Sequence, residues 1–281
     1  MQEERLVKIK ELIDRQCLMD DIFFSCLMDE NIALAEIILQ IILDKPDLKV
    51  ERVATQRTES DLVYRGVRFD VFAVDSKGQQ YNIEVQKDSG GFPETRMALN
   101  ASILYQTTFA KGNKDFNIKQ NYVIIIFESD YFQRGLPIYP INRVIKFGND
   151  NWEYLKDNQQ ILVVNGANQD PATKLGQLMH DFSCADPKQM KLKQVGLIVS
   201  DYKKGGSIMY QKTIHHYDAY FDDLISEAES RGEARDEARG EARGEAMVIT
   251  QFLNQGKLTV EDIAEATGKT PEEILAIKNQ T

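Results

Sequence analysis

A chain of 281 residues, 42% of them hydrophobic, holds enough apolar material for one generous domain, or for one domain with a small appendage. A formal net charge of −10 and a pI near 5.0 exclude a protein that coats nucleic acid by bulk charge, since that affinity comes from Lys and Arg neutralising phosphates. Cys17, Cys26 and Cys184 lack C-x-x-C spacing, no apolar run reaches the ~18 residues of a membrane span, and the charged start QEERLVKIK is no signal peptide, so the expectation is a reduced, cytoplasmic protein with no membrane partner.

Residues 1–17 read as an exposed helix, and a more apolar segment begins at Asp20-Asp21. From Asn31 onward Ile32, Ala33, Leu34, Ile37, Ile38, Ile41 and Ile42 make a wide apolar face that Lys45-Pro46 ends, which predicts a largely buried helix. Glu36 stands inside that run, where a carboxylate needs a reason; a narrow solvent face shared with Gln40 is one. Val50 to Val63 reads as a strand running into a polar loop. It brings Arg52, Arg57, Arg65 and Arg68 close in sequence to the segment from Val67 to Lys87, either to contact phosphate or simply to be solvated.

That segment, Val67 to Lys87, reads as a hairpin. Val67, Phe69, Val71 and Ala73 alternate with Arg68, Asp70, Phe72 and Val74, and Asp75-Ser76-Lys77-Gly78 supplies the turn. On the return Tyr81, Ile83 and Val85 point one way and Asn82, Glu84 and Gln86 the other. A turn centred near Lys77 sets Asp70 opposite Glu84, with Cβ atoms roughly 5 Å apart. Like charges so close raise each other's pKa unless a cation lies between them. A hard divalent ion, Mg²⁺ or Mn²⁺, answers that need, because it takes a few carboxylate oxygens and keeps other positions for water and phosphate. The plainer alternative is a surface hairpin with solvated acids, although both acids interrupt apolar runs, where acids rarely enter without a partner.

The segment PETRMALNASILYQTTFAKG reads as a helix with Pro93 early and Gly112 at its end. Arg96 and Asn100, four apart, share one face, and Arg96 has the fork geometry for a phosphate or for an ion pair with a nearby acid. YVIIIF, Tyr122 to Phe127, predicts a strand buried on both faces, and Ile141 to Phe147 and Ile161 to Val164 predict two more. DPATKLGQLMHDFSC predicts a helix with an Asp cap and Pro at its first position. His180, His215 and His216 lack ligand spacing and read as structural or surface residues. Lys188, Lys191 and Lys193 with Lys203 and Lys204 form the densest basic stretch and the best candidate for a phosphate track.

From Glu227 the repeat SRGEARDEARGEARGEA would stack Arg, Glu and Ala in separate helical stripes. It reads either as a self-associating stalk over 227–250, making a homo-oligomer, or as a solvated linker weakened by its glycines. The end, KLTVEDIAEATGKTPEEILAIKNQ, predicts two short helices capped by Thr259 and Thr270, similar to the first part of a helix-turn-helix. The expected domains are 1–222, a charged helical stalk or linker over 223–257, and a small tail over 258–281.

An Asp on one strand and Glu-x-Gln on the next resembles the PD-(D/E)XK nuclease superfamily, whose pattern is Asp followed by (Asp/Glu)-x-Lys. RFDVFAVDSKGQQYNIEVQKDSGGFPETRMALNASIL, then NYVIIIFESDYFQRGLPIYPINRV, then VNGA and LGQLMHDFSC, are similar to the bacterial PD-(D/E)XK nuclease family transposases, also called recombination-promoting nucleases, over about residues 20–215. The resemblance implies an α/β, restriction-endonuclease-like αβββαβ core with a mixed sheet flanked by helices, plus a helical C-terminal extension. It implies a metal-dependent DNA endonuclease with DNA as partner, catalytic Asp70, Glu84 and Gln86, and Mg²⁺ or Mn²⁺ held by Asp70, Glu84 and the main-chain carbonyl of Val85. It also brings Glu36 to the metal from the first core helix, and turns Arg96 and Asn100, with Arg68 nearby, toward the nucleic acid. Gln86 in place of Lys contributes no positive charge, so a catalytically weak or inactive nuclease-fold protein, acting as a nucleic-acid-binding, regulatory or assembly module, is the alternative.

Overall fold

The strand with the most apolar sequence sits where that sequence demands. In the computed structural model, which describes residues 2–58, 68–87, 94–107, 119–222, 260, 264 and 270–279, every residue of β4 (Asn121–Phe127) is buried. It lies inside a six-stranded sheet ordered β1-β2-β3-β4-β8-β5. Strands β1 (Val50–Thr58), β2 (Arg68–Asp75) and β3 (Gln80–Gln86) form an antiparallel meander. Strands β3, β4 and β8 (Gln159–Asn165) run parallel, and β5 (Ile138–Ile141) adds an antiparallel edge. Parallel neighbours need a crossover, and α4 (Glu94–Thr107) supplies the one between β3 and β4. The αβββαβ order, the mixed sheet and the flanking helices are those expected.

Alternation divides the sheet into two buried faces. Phe72, Val123, Ile125, Phe127 and Val163 pack with Met97, Ala101 and Leu104 of α4. The side chains between them, Val71, Ala73, Ile83, Ile124, Ile126 and Val164, are equally buried and face the other layer, which α2 (Asp21–Met28), α3 (Ile32–Ile42) and α5 (Lys174–Ser183) help to build. Helix α1 (Gln2–Arg15) is not simply exposed: Ile9 and Ile13, four apart, are fully buried, so one stripe docks. Helix α3 buries Leu34, Ala35, Ile38, Leu39 and Ile42 behind an Asn31 cap that accepts from the Leu34 N–H at 3.1 Å. Cys17 and Cys26 are buried free thiols.

Three expectations about elements are corrected. The run from Ile141 to Phe147 is not one strand: β5 ends at Ile141, and β6 (Val144–Lys146) pairs with β7 (Trp152–Tyr154) in a separate ribbon. The break falls at Asn142-Arg143, where the Arg143 carbonyl already accepts from the Leu155 N–H of the ribbon at 2.9 Å and its side chain pairs with Asp157 at 2.9 Å. Helix α5 starts at Lys174, capped by Thr173, while Asp170 closes the turn before it by accepting from the Ala172 N–H. Lys203, expected on a phosphate track, ends α6 (Lys193–Lys203) half-buried, its ammonium donating to the carbonyls of Asp14, Gln16 and Ala185. Burial lowers its pKa.

By Cα packing the chain divides into Met1–Asp218 and Ala219–Thr281, with helical residues 208–218 closing the first unit. The stalk over 223–257 lies outside the described residues. Within the second unit α7 (Pro271–Asn279) starts as TPEE predicts. Glu273 accepts from the Thr270 N–H at 2.8 Å and the Thr270 hydroxyl accepts from the Glu273 N–H at 3.3 Å, a reciprocal cap. Ile274 is buried against Ala264. The Thr259 cap falls outside the described residues.

Gly166, where β8 ends, donates its N–H to the Phe127 carbonyl at 2.7 Å, and a Cβ there would lie 2.3 Å from that oxygen. Phe127 is held by sheet partners on both sides and cannot yield. Gly166→Ala should therefore cost about 1–3 kcal/mol, read as a lower urea midpoint with unchanged slope.

Candidate active site

The site begins at a turn. The Asp75 carboxylate, 3% exposed, accepts from the Lys77 and Gln79 N–H groups at 2.9 and 2.8 Å and from the Tyr81 hydroxyl at 2.8 Å. Gly78, with φ of +75°, completes the reversal where a side chain would be strained. This fixes the register Val74↔Gln80, Ala73↔Tyr81, Phe72↔Asn82 and Val71↔Ile83. One residue further the same register faces Asp70 with Glu84. The paired ladder ends at Val71↔Ile83, so the two acids stand where the strands begin to part, on the face that α4 covers.

Glu84 is 2% exposed. Three donors surround it: Asn100 Nδ2 reaches Oε2 at 2.5 Å, while Arg96 Nη2 at 2.5 Å and Gln86 Nε2 at 3.2 Å share Oε1. The four-residue spacing of Arg96 and Asn100 on α4 brings both to one carboxylate. Burial still leaves the Glu84 pKa raised, with Arg96 and the three hydrogen bonds pulling against it. Asp70 is pushed up to about 7, first by burial and then by the charges of Glu84 and Asp21, against the pull of Arg96 and of the Val85 N–H that its carboxylate accepts. In a strand the N–H and C=O of one residue point to the same side, so the Val85 carbonyl lies on the Asp70 edge of β3. Asn82, two residues before Glu84 on the same face, is fully buried with both amide atoms unpartnered.

Glu36 does not come to this group. Its carboxylate accepts from Lys49 Nζ at 2.8 Å and from the Val50 N–H at 3.1 Å. Val50 pairs with Asp75, five residues along β2 from Asp70, or about 16 Å of strand. The reason for its place in an apolar run is local: it pins the start of β1. Arg96 and Asn100, expected to face nucleic acid, both reach Glu84. Arg68 lies in β2 opposite Thr58, and its side chain is outside the described residues, as are those of Arg57 and Arg65. Arg52 stacks on Phe72, 5.6 Å from the ring centre. Sequence reasoning misses Asp21. It opens α2, looks like any first-turn acid, and its charge acts on Asp70. Its neighbour Asp20 pairs with Lys87 at 2.5 Å, bringing the start of α2 to the end of β3. The Asp20-Asp21 doublet is the one signal that could have found it.

Among the described residues no group of three or more His, Cys, Asp or Glu side chains is placed to hold a metal ion. A donor set of two carboxylates and a carbonyl suits a hard divalent cation that keeps most of its water, and the raised pKa of Asp70 reflects first its burial and then the like charge of Glu84. Thiol or imidazole donors that would favour softer metals are not among these residues. Lys174, Lys191 and Lys193 line a separate groove with Ile37 and Ile41.

A family model described as PD-(D/E)XK nuclease family transposase matches residues 26–166, half of the chain. The match takes in the hairpin, α4 and the central strands, and leaves out Asp21 and the lysine groove's α5 and α6. No curated protein and no solved structure matches.

An acid whose folded pKa is raised binds more protons folded than unfolded between its ordinary 3.8 and about 7, so its contribution to stability falls as pH rises through that window and is flat above it. With EDTA present, Asp70→Asn should remove this loss. Urea unfolding from pH 5 to 8 should show the variant's advantage growing with pH, to at least about 1.4 kcal/mol, the worth of one pKa unit.

Proposed function

The chain belongs to the PD-(D/E)XK nuclease family transposases, and on that premise we propose that it is a divalent-metal-dependent nuclease hydrolysing phosphodiester bonds within DNA. The observation that carries the reading is the Asp70–Glu84 pair, held face to face at the parting end of a hairpin whose register the Asp75 turn fixes. Asp70, Glu84 and the Val85 carbonyl would hold Mg²⁺ or Mn²⁺. When bound, the ion would polarise a phosphate and lower the pKa of a water. The protein's own groups do the rest. Asn100 keeps the Glu84 carboxylate in one orientation through a buried hydrogen bond. Gln86, with Nε2 on Glu84, keeps Oε1 as the end that can accept from a water and orient it. Unlike a Lys it offers no charge to the developing oxyanion, and this favours a slow enzyme.

That same residue motivates the second reading, a nuclease fold that binds nucleic acid without turnover. Self-association through residues 227–250 stays a proposal, since those residues lie outside the described ones.

Purified full-length protein should nick supercoiled plasmid with Mg²⁺ or Mn²⁺ and not with EDTA. Asp70→Ala should abolish nicking, whereas Glu36→Gln, far from the pair, should leave it within about twofold and lower stability by less than about 1 kcal/mol, the usual worth of an exposed ion pair. Cleavage by Asp70→Ala at the wild-type rate would remove the site assignment. Binding without cleavage by folded wild type would favour the second reading, with Gln86→Lys the variant that should restore turnover.

A further inference from the structure

The two oxygens of Glu84 are held in different ways. Oε2 accepts from Asn100, a side chain buried between α4 and the sheet, 3% exposed and fixed by packing. Oε1 accepts from Gln86 at 3.2 Å and, more closely, from Arg96 at 2.5 Å, whose side chain is 47% exposed while the Glu84 side chain is only 3% exposed. Asn100 belongs to the interior; Arg96 reaches in from the surface on a long, rotatable stem. Arg96 sits in the first turn of α4, and its guanidinium can swing outward while Asn100, one turn on, stays put. In the free protein Arg96 therefore does two things to an incoming cation. It covers one oxygen of a principal carboxylate ligand, and it places a positive charge where the cation would go.

A backbone phosphate offers the guanidinium what Glu84 offers now, two oxygens matched to its fork, on the open side of the site. Resting on the nuclease reading above, we infer that Arg96 is a latch on Glu84 that a nucleic-acid phosphate releases, so that nucleic acid and divalent cation load the site cooperatively. The coupling is reciprocal: whatever factor the phosphate adds to cation affinity, the cation adds to nucleic-acid affinity. Arg96 is thus a positioning residue whose place depends on the substrate. A nuclease built so would stay poorly metallated until it meets a strand.

The test measures Ca²⁺ binding by calorimetry on the full chain, Ca²⁺ being a hard divalent probe for oxygen ligands, with and without a short DNA duplex. For wild type the duplex should raise Ca²⁺ affinity at least about fivefold, the lower end of ordinary couplings. Arg96→Gln should bind Ca²⁺ without duplex at least about fivefold more tightly than wild type, and the duplex should then add little. Arg96→Lys, which keeps the charge but not the fork, should fall between. A merely structural Arg96 would give the reverse sign, since its loss would loosen Glu84 and weaken Ca²⁺ binding with or without duplex. Arg96→Gln binding no more tightly than wild type, or showing the same duplex effect, overturns the latch. Asp70→Asn separates the two failures. If it loses Ca²⁺ while Arg96→Gln matches wild type, the latch alone falls; if it binds as wild type does, or if no form binds Ca²⁺, the nuclease site falls with it.

Discussion

The site depends on a turn that contains none of its residues. Asp75 spends its carboxylate on two backbone N–H groups and the Tyr81 hydroxyl, and Tyr81 in turn stacks on Tyr122 of β4 with ring centres 5.3 Å apart. One buried acid therefore fixes both the β2–β3 register and the seat of β3 against the central strand. Side chains alternate with a period of two, so a slip of one residue would turn Asn82, Glu84 and Gln86 to the α2–α3 layer and bring Ile83 and Val85 beneath α4. Nothing at the site itself could correct that error, because Arg96 and Asn100 are placed by α4 and wait for whatever β3 presents.

Burying Glu84 creates the chemistry and the cost together. Three donors on one carboxylate offset much of the desolvation, yet its pKa stays raised, and Asp70 opposite it is pushed up to about 7. Burial is the larger cause, and at Asp70 like charges add to it. Arg96 is the cation acting on both acids, while Asp21 adds a further negative charge from α2. Arg96 pulls both pKa values down without offsetting the burial of the two acids. Structural acids in this protein are treated otherwise: Glu36 has Lys49, Asp29 has Lys212 at 2.7 Å, and both have lowered pKa values through those partners.

Much of this is legible in the sequence because it derives from short periods. The alternation in Val67 to Lys87 and the Asp-Ser-Lys-Gly turn place Asp70 against Glu84, and YVIIIF requires a strand covered on both sides. The i, i+4 spacing predicts that Arg96 and Asn100 share a face. What spacing cannot give is the partner across the gap, and so their hold on Glu84 is visible only in the folded chain. For Glu36 the solvent face shared with Gln40 is the reading the structure has, Gln40 Nε2 lying 3.4 Å from its carboxylate. Lys49 and the Val50 N–H, brought back by the turn after α3, draw it to the rim of the sheet rather than to the metal the resemblance implies. Lys203 shows a different error. A lysine in a basic stretch looks solvated, but where α6 ends it meets the carbonyls that close α1, and its ammonium joins two helices that are remote in sequence.

The overall charge of −10 then acquires a meaning at the site. A polyanion approaching this chain gains little from long-range attraction, and among the described residues Lys87 pairs with Asp20, Lys203 is half-buried, and Lys174, Lys191 and Lys193 line a groove with α3. Among the described residues the half-exposed positive charge acting on Asp70 is Arg96, which pairs with Glu84. A strand can take that arginine only if something else replaces its charge on the carboxylates, and a divalent cation can take the carboxylates only if the arginine has somewhere to go. On the proposed reading each ligand would remove the obstacle to the other. An acidic site in an acidic chain is on that reading no contradiction, because strand and cation each carry the charge the other lacks and Arg96 would exchange between them.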